Sequence, residues 1–183
     1  MSFVGKPAPD FRMASTKNLD TLDEPVALED YHGRWLVLFF YPEDFTFVCP
    51  TEILAFSQKV DEFEAAGASV LGVSTDNVHS HQAWIEFALG RIKYPLACDP
   101  TLQVSRSYGV LIEEEGIAQR GVFIIDPAGV VRYEVVHDLD TGRNVDEVYR
   151  VLRALQMSAK CPAGWKPGEP ALEIKPLTLA RAN

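Results

Sequence analysis

Trp35-Leu36-Val37-Leu38-Phe39-Phe40-Tyr41-Pro42 is the stretch that decides the fold. An unbroken apolar run rich in aromatics cannot alternate between core and solvent, so it predicts a strand covered on both faces. Pro42 lacks a backbone donor and ends it. At Cys49-Pro50 the period changes. Ile53, Phe56, Val60 and Phe63 then recur at helical spacing, with Pro50 in the first turn and Gly67 suited to the C-terminal end.

Working outward, Ser69 to Ser74 predicts a second buried strand and the region around His79 to Leu89 a helix. Gly121 to Asp126 and Val130 to Val136 predict two strands joined by the tight turn Asp126-Pro127-Ala128-Gly129. A final helix opens at the capping box Asn144-x-x-Glu147 and carries Val145, Val148, Leu152 and Leu155 on one stripe. Residues 1–34, with Pro7, Pro9, Pro25 and a loop around Asn18, predict a lead-in with short strands. Pro162, Pro167, Pro170 and Pro176 forbid continuous helix beyond Lys160. Strand, helix, strand, helix, hairpin and helix is the order of an α/β, thioredoxin-like fold, here with an N-terminal extension and an irregular C-terminal tail. Periodicity alone leaves other α/β topologies open. The expected division is a domain over 1–159 and a tail over 160–183.

The 183 residues are 47% apolar and 23% charged, the balance of a soluble globular protein, with a net charge of −9. That charge repels phosphates and anionic lipid, so neither nucleic acid nor membrane is an expected partner. The N-terminal residues show no basic segment followed by an apolar run, and the expected location is cytoplasmic. A chain of this size folds without disulfides. Its three cysteines are therefore available for chemistry, although their number alone leaves inert buried thiols open.

Cys49 falls at a predicted helix N-terminus, where unpaired N–H groups and the helix dipole favour an anion. An ordinary thiol of pKa about 8.5 is roughly 3% ionised at pH 7, so complete ionisation gains only about 30-fold. A fast thiol reaction with an oxidant needs more, namely stabilisation of the charge that develops in the transition state. Thr46 offers a hydroxyl three residues earlier, Pro42 a wall against water, and an arginine would offer a charge that cannot be lost.

The segment Tyr41-Pro42-Glu43-Asp44-Phe45-Thr46-Phe47-Val48-Cys49-Pro50-Thr51-Glu52 resembles the active-site signature of the peroxiredoxins, Pro-x-x-x-Thr-x-x-Cys. Gln119-Arg120-Gly121-Val122-Phe123, His81-Gln82-Ala83-Trp84 and Gly142-Arg143-Asn144-Val145 resemble other segments of that family. The resemblance implies a thiol peroxidase acting on hydrogen peroxide and alkyl hydroperoxides without a cofactor. It places Cys49, Thr46, Pro42 and Arg120 in the active site, with Glu52 and Arg143 orienting Arg120. A dithiol mechanism of the thioredoxin kind does not fit, because Glu52 stands three residues after Cys49. A sulfenic acid at Cys49 then needs a thiol from elsewhere.

Cys98 ends the short apolar run Tyr94-Pro95-Leu96-Ala97 and reads as a packed, inert thiol. Lys160-Cys161-Pro162-Ala163-Gly164-Trp165 resembles the resolving-cysteine segment of two-cysteine peroxiredoxins. That likeness implies an intersubunit disulfide between Cys49 and Cys161, reopened by thioredoxin or a flavoprotein disulfide reductase. It also implies homodimers pairing through the strand Val130 to Val136, and a decamer of five such dimers. The stretch between the last helix and Cys161 is shorter than the family usually has. Two alternatives stay open: a one-cysteine peroxidase with Cys161 idle, and a chaperone or redox-sensing role for the same thiol. His79 and His81 are expected at a helix start and on the surface, with no ligand set completing a metal site.

Overall fold

A computed structural model describes residues 2–157 and 159–173. The chain falls into two compact units divided after Val145.

The first unit is built on a five-stranded sheet. β1 (Arg12–Met13) and β2 (Val26–Ala27) form a small antiparallel pair in the lead-in. β3 (Trp35–Phe40), α1 (Cys49–Ala65), β4 (Ala68–Ser74), α2 (Val78–Trp84), β5 (Leu96–Cys98) and α3 (Gln103–Ser107) follow. A short hairpin, β6 (Leu111–Ile112) and β7 (Ile117–Ala118), precedes β8 (Arg120–Ile125) and β9 (Val131–His137). The main sheet runs β5-β4-β3-β8-β9. β4 lies parallel to β3 and β5, whereas β8 is antiparallel to both β3 and β9.

β3 is central and, from Leu36 to Phe40, inaccessible to solvent, as its unbroken apolar run requires. Alternate side chains go to opposite layers. Leu36, Leu38 and Phe40 join Leu71, Tyr108, Phe123 and Ile125 in one core. On the other face Phe39 stacks on Phe56 of α1, with ring centroids 4.4 Å apart. The α1 stripe Ile53, Phe56, Val60 and Phe63 is buried, and Gly67 follows the helix at φ +70°, where a side chain would be strained.

The strands and α1 match the sequence reading to within a residue or two. The helix expected around 79–89 is in two parts. α2 starts on Asn77, whose side chain accepts from the N–H groups of His79 and Ser80, and then gives way to a π-helical turn over Ile85–Leu89. α3 and the β6–β7 hairpin are too short to leave a periodic signal. No described helix is long and apolar enough to cross a membrane.

Gly72 is a tight point of the sheet. A Cβ there would meet Leu96 Cδ2 at 2.7 Å and Phe39 Cζ at 2.8 Å. Gly72→Ala is expected to cost about 1–3 kcal/mol in urea unfolding through overpacking. An unchanged midpoint would mean that Phe39 and Leu96 give way freely.

All but the first residue of α4 (Val145–Gln156) lies in the second unit. Beyond it the described residues through Glu173 form no helix or strand. Arg150 Nη1 donates to the Trp165 carbonyl at 2.9 Å, and Trp165 Nε1 donates to the Glu169 carbonyl at 2.8 Å. The remaining tail, Pro176 included, lies outside the described residues.

Candidate active site

Antiparallel pairing sets the first residue of β8 beside the last residues of β3, where the chain leaves for α1. Four of the residues singled out in the sequence therefore meet at one end of the sheet. Cys49 is the first residue of α1 and fully buried. Arg120 Nη1 reaches from β8 to 3.4 Å from Cys49 Sγ and 2.7 Å from Glu52 Oε2, while its Nε donates to the Leu139 carbonyl at 2.6 Å. Glu52, one helical turn after Cys49, also holds Arg143. Nε to Oε1 is 2.7 Å, Nη2 to Oε2 is 2.9 Å, and the Arg143 backbone N–H donates to Oε1 at 2.7 Å. The remaining nitrogen, Nη1, donates to the carbonyls of Phe40 and Gly121 at 2.7 Å each.

All three side chains are buried: Glu52 is 2% exposed, Arg120 3% and Arg143 7%. Burial alone would push the Glu52 carboxyl up. The hydrogen bonds and charge of Arg143, with the charge of Arg120, outweigh that and hold it below the usual carboxylate range. Two guanidiniums against one carboxylate leave one uncompensated positive charge next to Cys49 Sγ.

Pro42 is buried at the start of the loop and Thr46 is half-buried within it. The Thr46 hydroxyl donates to the Glu43 carbonyl at 2.9 Å, so its lone pairs rather than its proton are available to a ligand. Cys98 ends β5 and is 4% exposed, in line with the packed position expected of it. Cys161 is half-buried, with its thiol 3.6 Å from the Ala154 carbonyl. All three cysteines are free thiols.

His81 departs from expectation. His79 is exposed, but His81 is fully buried, with Nδ1 2.8 Å from Asp44 Oδ2. Asp44, Asp76 and His81 bring ligand-type atoms within 4.8 Å of one another. Their oxygens are already engaged by Ser80 Oγ, Ser74 Oγ and the Asp44 N–H, so the cluster closes on itself. The sequence signal that was available was spacing: His81 and Trp84, one turn apart on a helix that Asn77 caps, form a buried stripe.

A buried thiol heading a helix, under a guanidinium and with glutamate where a dithiol site would need its second cysteine, defines a thiol enzyme outside the dithiol oxidoreductases. The profile of the AhpC/TSA family matches residues 4–134. Peroxiredoxin-2 of Macaca fascicularis is 50% identical over 179 residues, covering 93% of this chain and 89% of that one. Reduced 2-Cys peroxiredoxin of Plasmodium vivax superposes with a TM-score of 0.88 at 35% identity, covering 93% of each chain. AhpC of Enterococcus faecalis gives 0.81 at 35% identity, covering 85% of this chain and 93% of that one. The chain belongs to the AhpC/TSA family, the peroxiredoxins. It is accordingly a thiol-dependent peroxidase, and its fold is thioredoxin-like.

Proposed function

We propose that Cys49 is the residue that attacks peroxide. The thiolate sulfur bonds to the terminal oxygen of hydrogen peroxide or a small alkyl hydroperoxide. The O–O bond breaks, and the departing oxygen leaves as water or alcohol once it takes up a proton. Cys49 becomes a sulfenic acid. The observation that carries this reading is Arg120 Nη1 touching Cys49 Sγ while Glu52 fixes it from behind. The single uncompensated positive charge then lies where negative charge develops. Thr46 accepts the peroxide O–H, the Cys49 N–H assists at the departing oxygen, and buried Pro42 keeps water from the sulfur.

Cys161 of a second copy condenses with the sulfenic acid, releasing water and forming the disulfide. Its half-buried place in an irregular segment supports the assignment; residues 160–183 then serve as a functional tail on a 1–159 domain. A dithiol partner, thioredoxin or a flavoprotein disulfide reductase, reopens the bond. β9 lies at the edge of the sheet with Val136 45% exposed, which supports dimers pairing through this strand and, from them, a decamer. Free thiols suit a reducing, cytoplasmic setting.

The test is a non-reducing gel after one equivalent of peroxide. Wild type is expected to run at twice the chain mass, and Cys161→Ser to run as a single chain while its Cys49 is still oxidised. A covalent dimer that persists in Cys161→Ser would sink the resolving role. Its absence in wild type would favour a one-cysteine cycle.

A further inference from the structure

We propose that His81 is a positioning residue for the peroxide site, a role that rests on Cys49 and Thr46 forming that site. From α2 it holds Asp44, and through Asp44 the loop that carries Thr46 into Cys49.

Besides the Thr46 hydrogen bond to the Glu43 carbonyl, the loop is held through Asp44. Phe45 sits at φ +56°, in the left-handed region that residues with side chains avoid, so surrounding contacts must impose its shape. Asp44, 5% exposed, provides them. Its Oδ1 accepts from the Tyr41 hydroxyl at 2.9 Å, its Oδ2 from Ser80 Oγ at 2.7 Å, and its backbone N–H donates to Asp76 Oδ2 at 3.0 Å. The closing contact is His81 Nδ1 on Oδ2. One turn further along α2, Trp84 lies against Phe45, with ring centroids 5.7 Å apart. Thus α2 grips both the left-handed residue and the one before it, and Thr46 follows directly.

Both His81 contacts are satisfied only when the imidazole carries two protons. Nδ1 faces a carboxylate and Nε2 faces the Ala97 carbonyl at 3.2 Å. A neutral ring has one N–H and would set a lone pair against one of those oxygens. The groups around it are Tyr41, Asp44, Asp76 and, from β5, Cys98. Burial pulls its pKa down, but the hydrogen bond and charge of Asp44, with Cys98 beside the ring, outweigh this and push it up to about 10. The raised value means that the contribution is fully present below the ordinary histidine pKa of about 6.5 and is lost as pH rises through about 10.

Two rates separate positioning from general support. Peroxide oxidation of Cys49 needs Thr46 in place, whereas iodoacetamide alkylation needs only an accessible thiolate. His81→Gln is expected to slow oxidation on the order of 10- to 100-fold, the scale of a displaced catalytic group, and to leave alkylation within about 3-fold. Asp44→Asn should give the same split, and the double variant no more than either single one. Equal loss of both rates, or loss of neither, overturns the positioning role. A wild type inert to peroxide overturns the function and this role together; a reactive wild type with a full-rate His81→Gln overturns this role alone. Should the variants not fold, nitrogen NMR of the wild type still decides. One of the four imidazoles is expected to hold two protons near pH 8, and finding all four neutral there overturns the assignment.

Discussion

The Cys49→Ser chain is expected to turn over no peroxide, and the Arg120→Met chain to react on the order of 10²- to 10³-fold more slowly than wild type. A serine hydroxyl stays protonated and cannot supply the nucleophile. Methionine approximates the reach of arginine without its charge, so Arg120→Met removes the group lying 3.4 Å from Cys49 Sγ with little change in packing. Magnitude then identifies what the guanidinium does. If it only kept the thiol ionised, peroxide oxidation and iodoacetamide alkylation would fall by the same factor. If it stabilises the breaking O–O bond, peroxide oxidation falls further than alkylation. Stopped-flow oxidation and timed alkylation of the same variant make the comparison. Equal losses in both would remove Arg120 from the transition state.

Glu52→Gln is expected to destabilise the fold by about 3–5 kcal/mol in urea unfolding, because one neutral amide would replace the carboxylate shared by two buried guanidiniums. The amide can accept from one of them but must turn its own N–H groups toward the other. A loss below about 1 kcal/mol would be that of a solvated pair and would mean that water screens the cluster. The acid limb gives a second check. Since the Glu52 carboxyl is held below its ordinary range, its contribution is fully present above the unfolded value of about 4.3. It is lost as pH falls through the lower folded value. The stability gap between wild type and Glu52→Gln should therefore narrow as both are acidified.

What was legible in the sequence is what local periodicity and motif spacing encode. Trp35 to Tyr41 announces a doubly covered strand because no alternation interrupts it, and the α1 stripe from Ile53 to Phe63 is regular over three turns. The site residues were legible for a different reason. Pro42, Thr46 and Cys49 lie within one turn and helix start, and resemblance of other segments to the family supplies the candidates Arg120, Glu52 and Arg143. The antiparallel insertion of β8 between β3 and β9 has no local signature, although it is what delivers Arg120 to Cys49. The Asp44–His81 contact spans 37 positions, and neither residue alone distinguishes a buried partner from a solvated one. α3, with five residues, is too short for the helical period to emerge.

The array of Arg120, Glu52 and Arg143 joins β3, β8, α1 and the segment after β9 through the same nitrogens and oxygens that surround the thiol. Heredity therefore has little room to tinker here. In a randomly mutagenised population, changes at Glu52 or Arg143 should remove soluble protein and activity from the same clones, so slow but intact intermediates would be scarce there. A lineage seeking a new substrate would have to vary Phe47, which is 94% exposed, and leave the charged array inherited whole.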